Sequence, residues 1–264
     1  MYQFEFHRPK SLGDAVALLE ANEDAKALSG GQTLLPTLKM RLASPSDVVD
    51  LSGVPELKGI SVSGDTVTIG AFTRHAEVAT SAEIAKAIPA LADLAAHIGD
   101  PAVRNMGTIG GSVANNDPAA DYPAAVVGLN ATIHTNKRTI AAGDFFKGLF
   151  ETALEAGELI TKFTFPIPKR AGYAKFRNPA SRYAMVGVFV AETASGIRAA
   201  VTGAGPGVFR SKEIEAALAG SFAASSLDGV KVPSAGMNSD MHGSAEYRAH
   251  LVTVMAKRAV TAAG

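Results

Sequence analysis

The sequence predicts an α+β chain built from three compact units, on three observations. Over roughly the first fifty residues, strand-length apolar runs alternate with a segment of helical periodicity. From Lys169 onward the runs lengthen into a series of strands that ends in one closing helix. Between these ends lie two hairpin signals and two glycine turns, Gly30-Gly31 and Gly110-Gly111. A chain of 264 residues is long enough for a sizeable core, and this length splits into two or three units. The boundaries are expected at 1–54, 55–168 and 169–264.

In the first unit, Tyr2 to Phe6 reads as a strand stub. Ser11 then caps a helix whose apolar positions Leu12, Ala15, Val16 and Leu19 share one face. Ala25 to Leu28 is a short buried strand running into Ser29, Gly30 and Gly31. Thr33 is placed to cap the next turn, with Pro36 near its start, and Val48, Val49 and Leu51 form a third strand. Lys39 and Arg41 either face phosphate or are solvated helix charges, the second role being the commoner. Ser52 to Glu56 reads as a linker.

The second unit opens with a hairpin, Ile60 to Ser63 and Thr66 to Ile69, about Gly64-Asp65. Ala71 to Arg74 is a turn in which Thr73 and Arg74 either face a ligand or cap the following helix. Ser81 starts a helical stretch carrying Ile84, Ile88, Leu91, Ala95 and Ile98; Pro89 divides it and Gly99 ends it. The second glycine turn follows. Ala124 to Leu129 reads as buried helix, and Ala131 to Thr135 with Thr139 to Ala141 as a hairpin about Asn136-Lys137. Phe145, Phe146, Leu149 and Phe150 are assigned to the core, and Leu159 to Ile167 to a strand closed by Pro166 and Pro168.

In the third unit, Tyr173 to Arg177, Met185 to Ala191 and Ile197 to Thr202 form an antiparallel sheet. Gly203-Ala204-Gly205-Pro206-Gly207 precedes a helix starting near Ser211. It fails the GxGxxG dinucleotide spacing, which needs a third glycine where Val208 stands, and it reads as a turn. Ser221 to Met241 is a polar loop. Ser244 caps a last helix with Tyr247, Leu251, Val254 and Met255 on one side.

Composition narrows the function classes. Lys+Arg and Asp+Glu are both 25, so the chain has no net charge to draw it to nucleic acid or an anionic membrane. Such a chain has little colloidal protection, which suits a subunit partly covered by others. Cysteine is absent, so any disulfide, thiolate nucleophile, cysteinyl cofactor link or iron–sulfur cluster must belong elsewhere. MYQFEFHRPK is no apolar leader and no apolar run is long enough to span a bilayer, giving the expectation of a cytoplasmic protein without a membrane span. The six histidines, His7, His75, His97, His134, His242 and His250, are scattered and read as surface or capping residues; without cysteine, His75-Ala76-Glu77 completes no zinc site. No nucleophile–base pair and no metal ligand set emerges, so neither a catalytic side chain nor a metal site is expected in this chain.

The two glycine turns carry the chemistry that remains. Paired glycines leave successive backbone N–H groups uncovered, able to converge on phosphate oxygens, and two such turns suit one diphosphate held from two sides; a plain turn is the alternative. Asn115, Asn116, Asp117 and Asp121, stiffened by Pro118 and Pro123, suit ribose hydroxyls and adenine edges, or Asx turns onto their own backbone. An enzyme lacking acid–base side chains borrows its chemistry, and a flavin fits.

SGGQTLLPTLKMRL and TIGGSVANNDPAADYPAA closely resemble the two FAD-binding signatures of the medium, flavin-carrying subunit of molybdenum hydroxylases, the group that contains aerobic carbon monoxide dehydrogenase and xanthine dehydrogenase. FHRPKSLGDAVALL, IGAFTRHAEV, FRNPASRYAMVGVFVA and SAEYRAHLVTVMAKRAV extend the resemblance along the whole chain. The resemblance implies a two-part FAD-binding domain of the vanillyl-alcohol-oxidase/p-cresol-methylhydroxylase type, followed by a C-terminal domain of antiparallel sheet and helices. It implies that Ser29, Gly30, Gly31, Gln32 and Thr33 wrap the diphosphate of noncovalent FAD from one side, with Leu34 and Leu35 near the cofactor. Thr108, Ile109, Gly110, Gly111 and Ser112 take the other side, Asn115 and Asp121 lie toward the adenosine half, Ala71 and Thr73 line the site, and Tyr183 contacts the isoalloxazine. Ser181-Arg182 replaces the Gly-Asp step common in the family before that aromatic, and an Arg beside the ring favours reduced, anionic flavin.

As partners the resemblance implies a large molybdenum-cofactor subunit and a small iron–sulfur subunit, in a dimer of heterotrimers. Substrate is oxidised in the large subunit, electrons cross the clusters of the small one, and FAD in this chain passes them to an external acceptor. Carbon monoxide, a purine, an aldehyde and another heterocycle all remain open as substrates, as do NAD⁺, quinone and oxygen as acceptors. A stand-alone FAD oxidoreductase and a flavin-free structural subunit are the alternatives. The first would need an acid–base pocket of its own, and the second would not be expected to keep both glycine pairs.

Overall fold

In the computed structural model, which describes residues 1–264, a small parallel sheet comes first. Its strands β1 (Glu5–His7), β2 (Lys26–Leu28) and β3 (Asp47–Asp50) lie in the order β1-β3-β2, with helices α1 (Leu12–Glu20) and α2 (Leu34–Lys39) in the connections. Pairing of Glu5 with Asp47 and of His7 with Val49 sets the first strand at Glu5–His7 rather than Tyr2–Phe6. The Ser11 hydroxyl accepts the Asp14 N–H at the start of α1, whose Ala15 is buried. Thr33 occupies the cap position of α2 but its side chain makes no capping bond. Residues 52–56 are no loose linker: two short 3-10 turns bury Val54 and Leu57 beside Leu51.

The second unit contains β4 (Ile60–Ser63) and β5 (Thr66–Gly70), then α3 (His75–Thr80), α4 (Ala82–Ala87), α5 (Pro89–Ala96), α6 (Pro101–Met106), α7 (Ile109–Asn115) and α8 (Tyr122–Gly128). There follow β6 (Thr132–Thr135), β7 (Thr139–Ala141), the single turn α9 (Ala142–Phe145), β8 (Phe146–Gly148), β9 (Glu151–Thr152) and β10 (Ile160–Pro166). Strands β4-β5-β10-β6-β7 form one antiparallel sheet, with both hairpins at their expected turns. Pro89 divides α4 from α5 as expected. Helix α6 was not expected: Asp100 caps it through the Val103 N–H and Pro101 is its first residue. Phe145 is in the core, but Leu149 and Phe150, assigned there from sequence, are more than half exposed at the β8–β9 turn.

The third unit is an antiparallel sheet of β11 (Arg170–Arg177), β12 (Ala184–Thr193), β13 (Gly196–Thr202) and β14 (Phe209–Arg210) in that order. Helix α10 (Lys212–Gly220) packs on β13, and α11 (Ala245–Ala262) on β11 and β12. Strand β12 is buried along most of its length because it is covered on both faces. Val186, Val188 and Val190 meet the α11 core, while Phe189 and Ala191 join the core of the second unit. The apolar face of α11 runs through Leu251, Val252 and Met255, and Tyr247 stands largely outside it.

A buried ion pair ties the second and third units. Lys175 on β11 donates to Asp121 at 2.9 Å, with side-chain exposures of 2% and 4%, and Tyr173 donates its hydroxyl to the same carboxylate. The Thr202 hydroxyl and Gly203 N–H bond the carbonyls of Pro118 and Ala120, pinning the turn that leads to Asp121.

Candidate cofactor site

A cleft of about 700 Å³ opens between the first sheet and the helices of the second unit, within the range of cofactor sites. One wall is the turn after β2. The backbone N–H groups of Ser29 to Thr33 find no acceptor within the chain, so they stand together as donors. Gly31 has φ +72°, open to glycine at no steric cost, and that conformation turns the chain back into α2. A Cβ at Gly30 would lie 2.6 Å from the Gly107 Cα and overlap the Met106 carbonyl oxygen, so only glycine lets the first turn approach the second.

The second glycine pair is built differently. It lies not in a turn but in the first turn of α7, and its N–H groups are already used. Ile109 N–H bonds the Thr73 carbonyl, Gly110 N–H the Ala71 carbonyl, and Gly111 N–H the Thr108 hydroxyl at 3.1 Å. The expectation that both turns aim N–H groups at one diphosphate is therefore corrected: the first supplies donors, and the second supplies space and hydroxyls. A Cβ at Gly110 would meet the Ala71 Cβ at 2.7 Å, so this glycine seats α7 on the turn after β5. Gly111 faces the cleft beside Ser29. The Ser29 and Thr108 hydroxyls lie 2.7 Å apart and join the two walls.

Ser29, Gly30, Gly31, Gln32, Thr33, Leu34, Ala71, Thr108, Gly110, Gly111, Ser112, Asn115, Asp121 and Tyr183 all line the cleft. Leu35, Thr73 and Ile109 do not. Leu35 packs under Gly31, Ile109 is fully buried in the core, and Thr73 donates its hydroxyl to the Gly59 carbonyl. Asp121 reaches the cleft but its carboxylate is already engaged by Lys175 and Tyr173. Asp117 also lines the cleft, with one oxygen accepting the Ala119 N–H. Arg182, exposed at φ +63°, is the chain neighbour of Tyr183 but is not among the residues that line the cleft. Tyr183 is held by Asn178: the Asn178 N–H donates to the Tyr183 carbonyl, and its Oδ1 accepts from Ala180 and Ser181. Partial burial, then the Asp117 and Asp121 charges, raise the Tyr183 phenol above its ordinary pKa, so it is neutral at physiological pH.

Sequence reasoning missed His75, Phe72, Leu159 and Glu158 on the cleft wall. Glu158 is held well below the usual carboxylate range: burial opposes its charge, but Arg138, the Glu155 N–H and the Thr135 hydroxyl outweigh that. His75 is no surface histidine. It is 5% exposed, packs against Tyr122 at 5.3 Å between ring centroids, and its Nδ1 finds no partner. Burial, and then the Arg104 charge, push its imidazole from 6.5 down to about 4. Between those values the unfolded chain binds a proton that the folded chain refuses. Stability from neutral His75 is complete above pH 6.5 and drains away toward pH 4, by about 3 kcal/mol in all. His75→Phe is expected to flatten the dependence of melting temperature on pH in that window; a curve as steep as the parent's would remove His75 as its source.

The pattern described as the FAD binding domain in molybdopterin dehydrogenase matches residues 2–168, and the CO dehydrogenase flavoprotein C-terminal domain matches residues 171–263. The chain belongs to this family: it is the FAD-carrying, medium-type subunit of a molybdenum hydroxylase, an oxidoreductase. It is 41% identical over 201 residues to the carbon monoxide dehydrogenase medium chain of Afipia carboxidovorans, covering 73% of this chain and 70% of that one. It is 40% identical over 206 residues to the nicotine 6-hydroxylase medium subunit of Paenarthrobacter nicotinovorans, covering 74% and 73%. Among solved structures, reconstituted CO dehydrogenase from Oligotropha carboxidovorans superposes with a TM-score of 0.91 at 36% identity, over 99% of this chain and 97% of that one. No helix is long and apolar enough to cross a membrane.

Proposed function

We propose that FAD lies in the cleft between the Ser29–Thr33 turn and the start of α7, and that this chain carries electrons from the iron–sulfur clusters of a small partner subunit to an external acceptor. The unpartnered N–H groups of Ser29 to Thr33 support this reading most strongly, since a run of successive free donors that includes two glycines fits a diphosphate. Bound there, the flavin accepts electrons one at a time and releases them singly or in pairs. The chain's own residues bind and orient it. The Ser29, Thr108 and Ser112 hydroxyls supplement the N–H groups, Gly111 keeps the phosphate space open, and Leu34 and Leu159 keep water from the apolar wall. Asn115 and Asp117 face the adenosine half, and Tyr183 faces the ring. The substrate-oxidising site belongs to a large molybdenum-cofactor partner, and the assembly is a cytoplasmic dimer of heterotrimers.

Two measurements test this reading. Tyr183→Ala is expected to keep FAD at the parent stoichiometry while shifting the flavin absorption bands or midpoint potential; no change in either would remove Tyr183 from the ring. A complex carrying a flavin-depleted form of this subunit should still bleach its iron–sulfur absorbance on adding substrate, yet fail to reduce the external acceptor. Undiminished acceptor reduction would take this chain off the electron route.

A further inference from the structure

His75 stands on the wall of the FAD cleft, yet its ring makes no hydrogen bond within the chain. Its place is fixed all the same: the His75 N–H donates to the Gly107 carbonyl at 2.9 Å, and Tyr122 packs against the imidazole. Nδ1 is turned into the protein and sealed from solvent without a partner. Nε2 has no partner either, but it is not sealed, and its edge of the ring lies against Gly107, which lines the cleft.

Gly107 supplies a second observation. Its φ of −62° and ψ of 147° are open to any residue, so the backbone does not call for glycine there. Space does, because a Cβ would lie 2.5 Å from His75 Nε2. The same glycine is the one that Gly30 rests on, which sets Nε2 beside the donor-bearing Ser29–Thr33 turn. The tautomer follows from burial. A neutral imidazole carries one N–H, and a sealed N–H without an acceptor is rarer than a sealed lone pair, so the lone pair belongs on Nδ1 and the proton on Nε2. Burial and the Arg104 charge keep the ring neutral at physiological pH.

We propose that His75 is a positioning residue for FAD, its Nε2–H donating to an oxygen of the diphosphate–ribityl chain. The inference rests on the reading that FAD lies in this cleft. His75 then adds a neutral side-chain donor from α3 to the backbone donors of the first glycine turn. Packed between Tyr122 and Gly107, the ring is held in place before the cofactor arrives, so little side-chain entropy is lost on binding. A residue that only filled space beside Tyr122 would need the ring and not the N–H.

The test is titration of the flavin-freed full chain with FAD, read by flavin fluorescence at neutral pH. His75→Phe keeps a ring beside Tyr122 but removes the donor, whereas His75→Gln removes the ring but keeps an N–H near the place of Nε2. The expected result is FAD affinity weakened about tenfold or more in His75→Phe and largely kept in His75→Gln. Parent affinity in His75→Phe, or binding in His75→Gln no tighter than in His75→Phe, overturns the donor role in favour of packing. Nitrogen NMR of the imidazole in the FAD-loaded chain should show Nδ1 bare and Nε2 protonated, and the opposite tautomer overturns it as well. Gly111→Val, titrated alongside, keeps the two claims apart. If that variant binds FAD like the parent, the placement of FAD in the cleft has failed; if it loses FAD while His75→Phe does not, only the role of His75 has.

Discussion

Gly111→Val is expected to yield a folded chain that no longer holds FAD. Position 111 lies in the first turn of α7 with an ordinary helical backbone, so a side chain there strains no dihedral. What it lacks is room. A Cβ would sit 3.0 Å from the Thr108 hydroxyl and 3.5 Å from the Ser29 Cβ, and the two methyl groups of Val would press further into the cleft wall that those residues share. Overpacking of this kind costs about 1–3 kcal/mol, and loss of the phosphate space adds to it in the FAD complex. We expect FAD affinity to fall on the order of 100-fold or more, with a modest drop in melting temperature. Gly30→Ala is the contrasting variant: its Cβ strikes backbone of residues 106 and 107, so stability and FAD content should fall together. Parent flavin content in Gly111→Val would refute the placement of the phosphate at α7.

Lys175→Ala is expected to destabilise the chain most among single substitutions outside the cleft. It leaves the Asp121 carboxylate buried with the Tyr173 hydroxyl as its remaining side-chain donor, across the junction of the second and third units. Stranding a buried charge costs about 3–5 kcal/mol, which for a chain of this size lowers the melting temperature on the order of 10 °C. The double change Asp121→Leu/Lys175→Met removes both charges and should recover part of that loss, the remainder being the buried Tyr173 hydroxyl left without its acceptor. Thermal melts of the parent, single and double variants decide it. A single variant melting with the parent, or a double variant no better than the single, would show that the pair does not hold the junction.

What the sequence made legible was local. The Gly64-Asp65 and Asn136-Lys137 hairpins, the break at Pro89 and the Ser244-capped last helix depend on neighbours within a few residues, and each stands where turn and capping chemistry put it. The third sheet was legible too, although its most buried strand, β12, owes its continuous apolar run to cover on both faces, which alternation alone does not reveal. Helix α6 was missed although Asp100-Pro101 is a sound start signal, because the following residues have no apolar stripe: none of them is buried. Leu149 and Phe150 were misassigned because an apolar residue type does not say whether its strand has an outer face. At the site, most of the residues that motif resemblance named do line the cleft, but resemblance did not give the unequal roles of the two glycine pairs. The carbonyls that consume the α7 N–H groups come from Ala71 and Thr73, far back in the chain, and no local pattern announces them. His75 was missed for the same reason, since its burial is made by Gly107 and Tyr122.

The most direct test of the central claim is to isolate the chain from its native source with its partners attached, identify them by mass spectrometry and record the absorption spectrum. The account predicts a large molybdenum-cofactor subunit and a small cysteine-rich subunit beside this chain, with flavin and iron–sulfur absorbance and one FAD per copy of this chain. A yellow chain isolated alone would contradict its place in such a complex, and a colourless complex of the three would contradict its role as the flavin carrier.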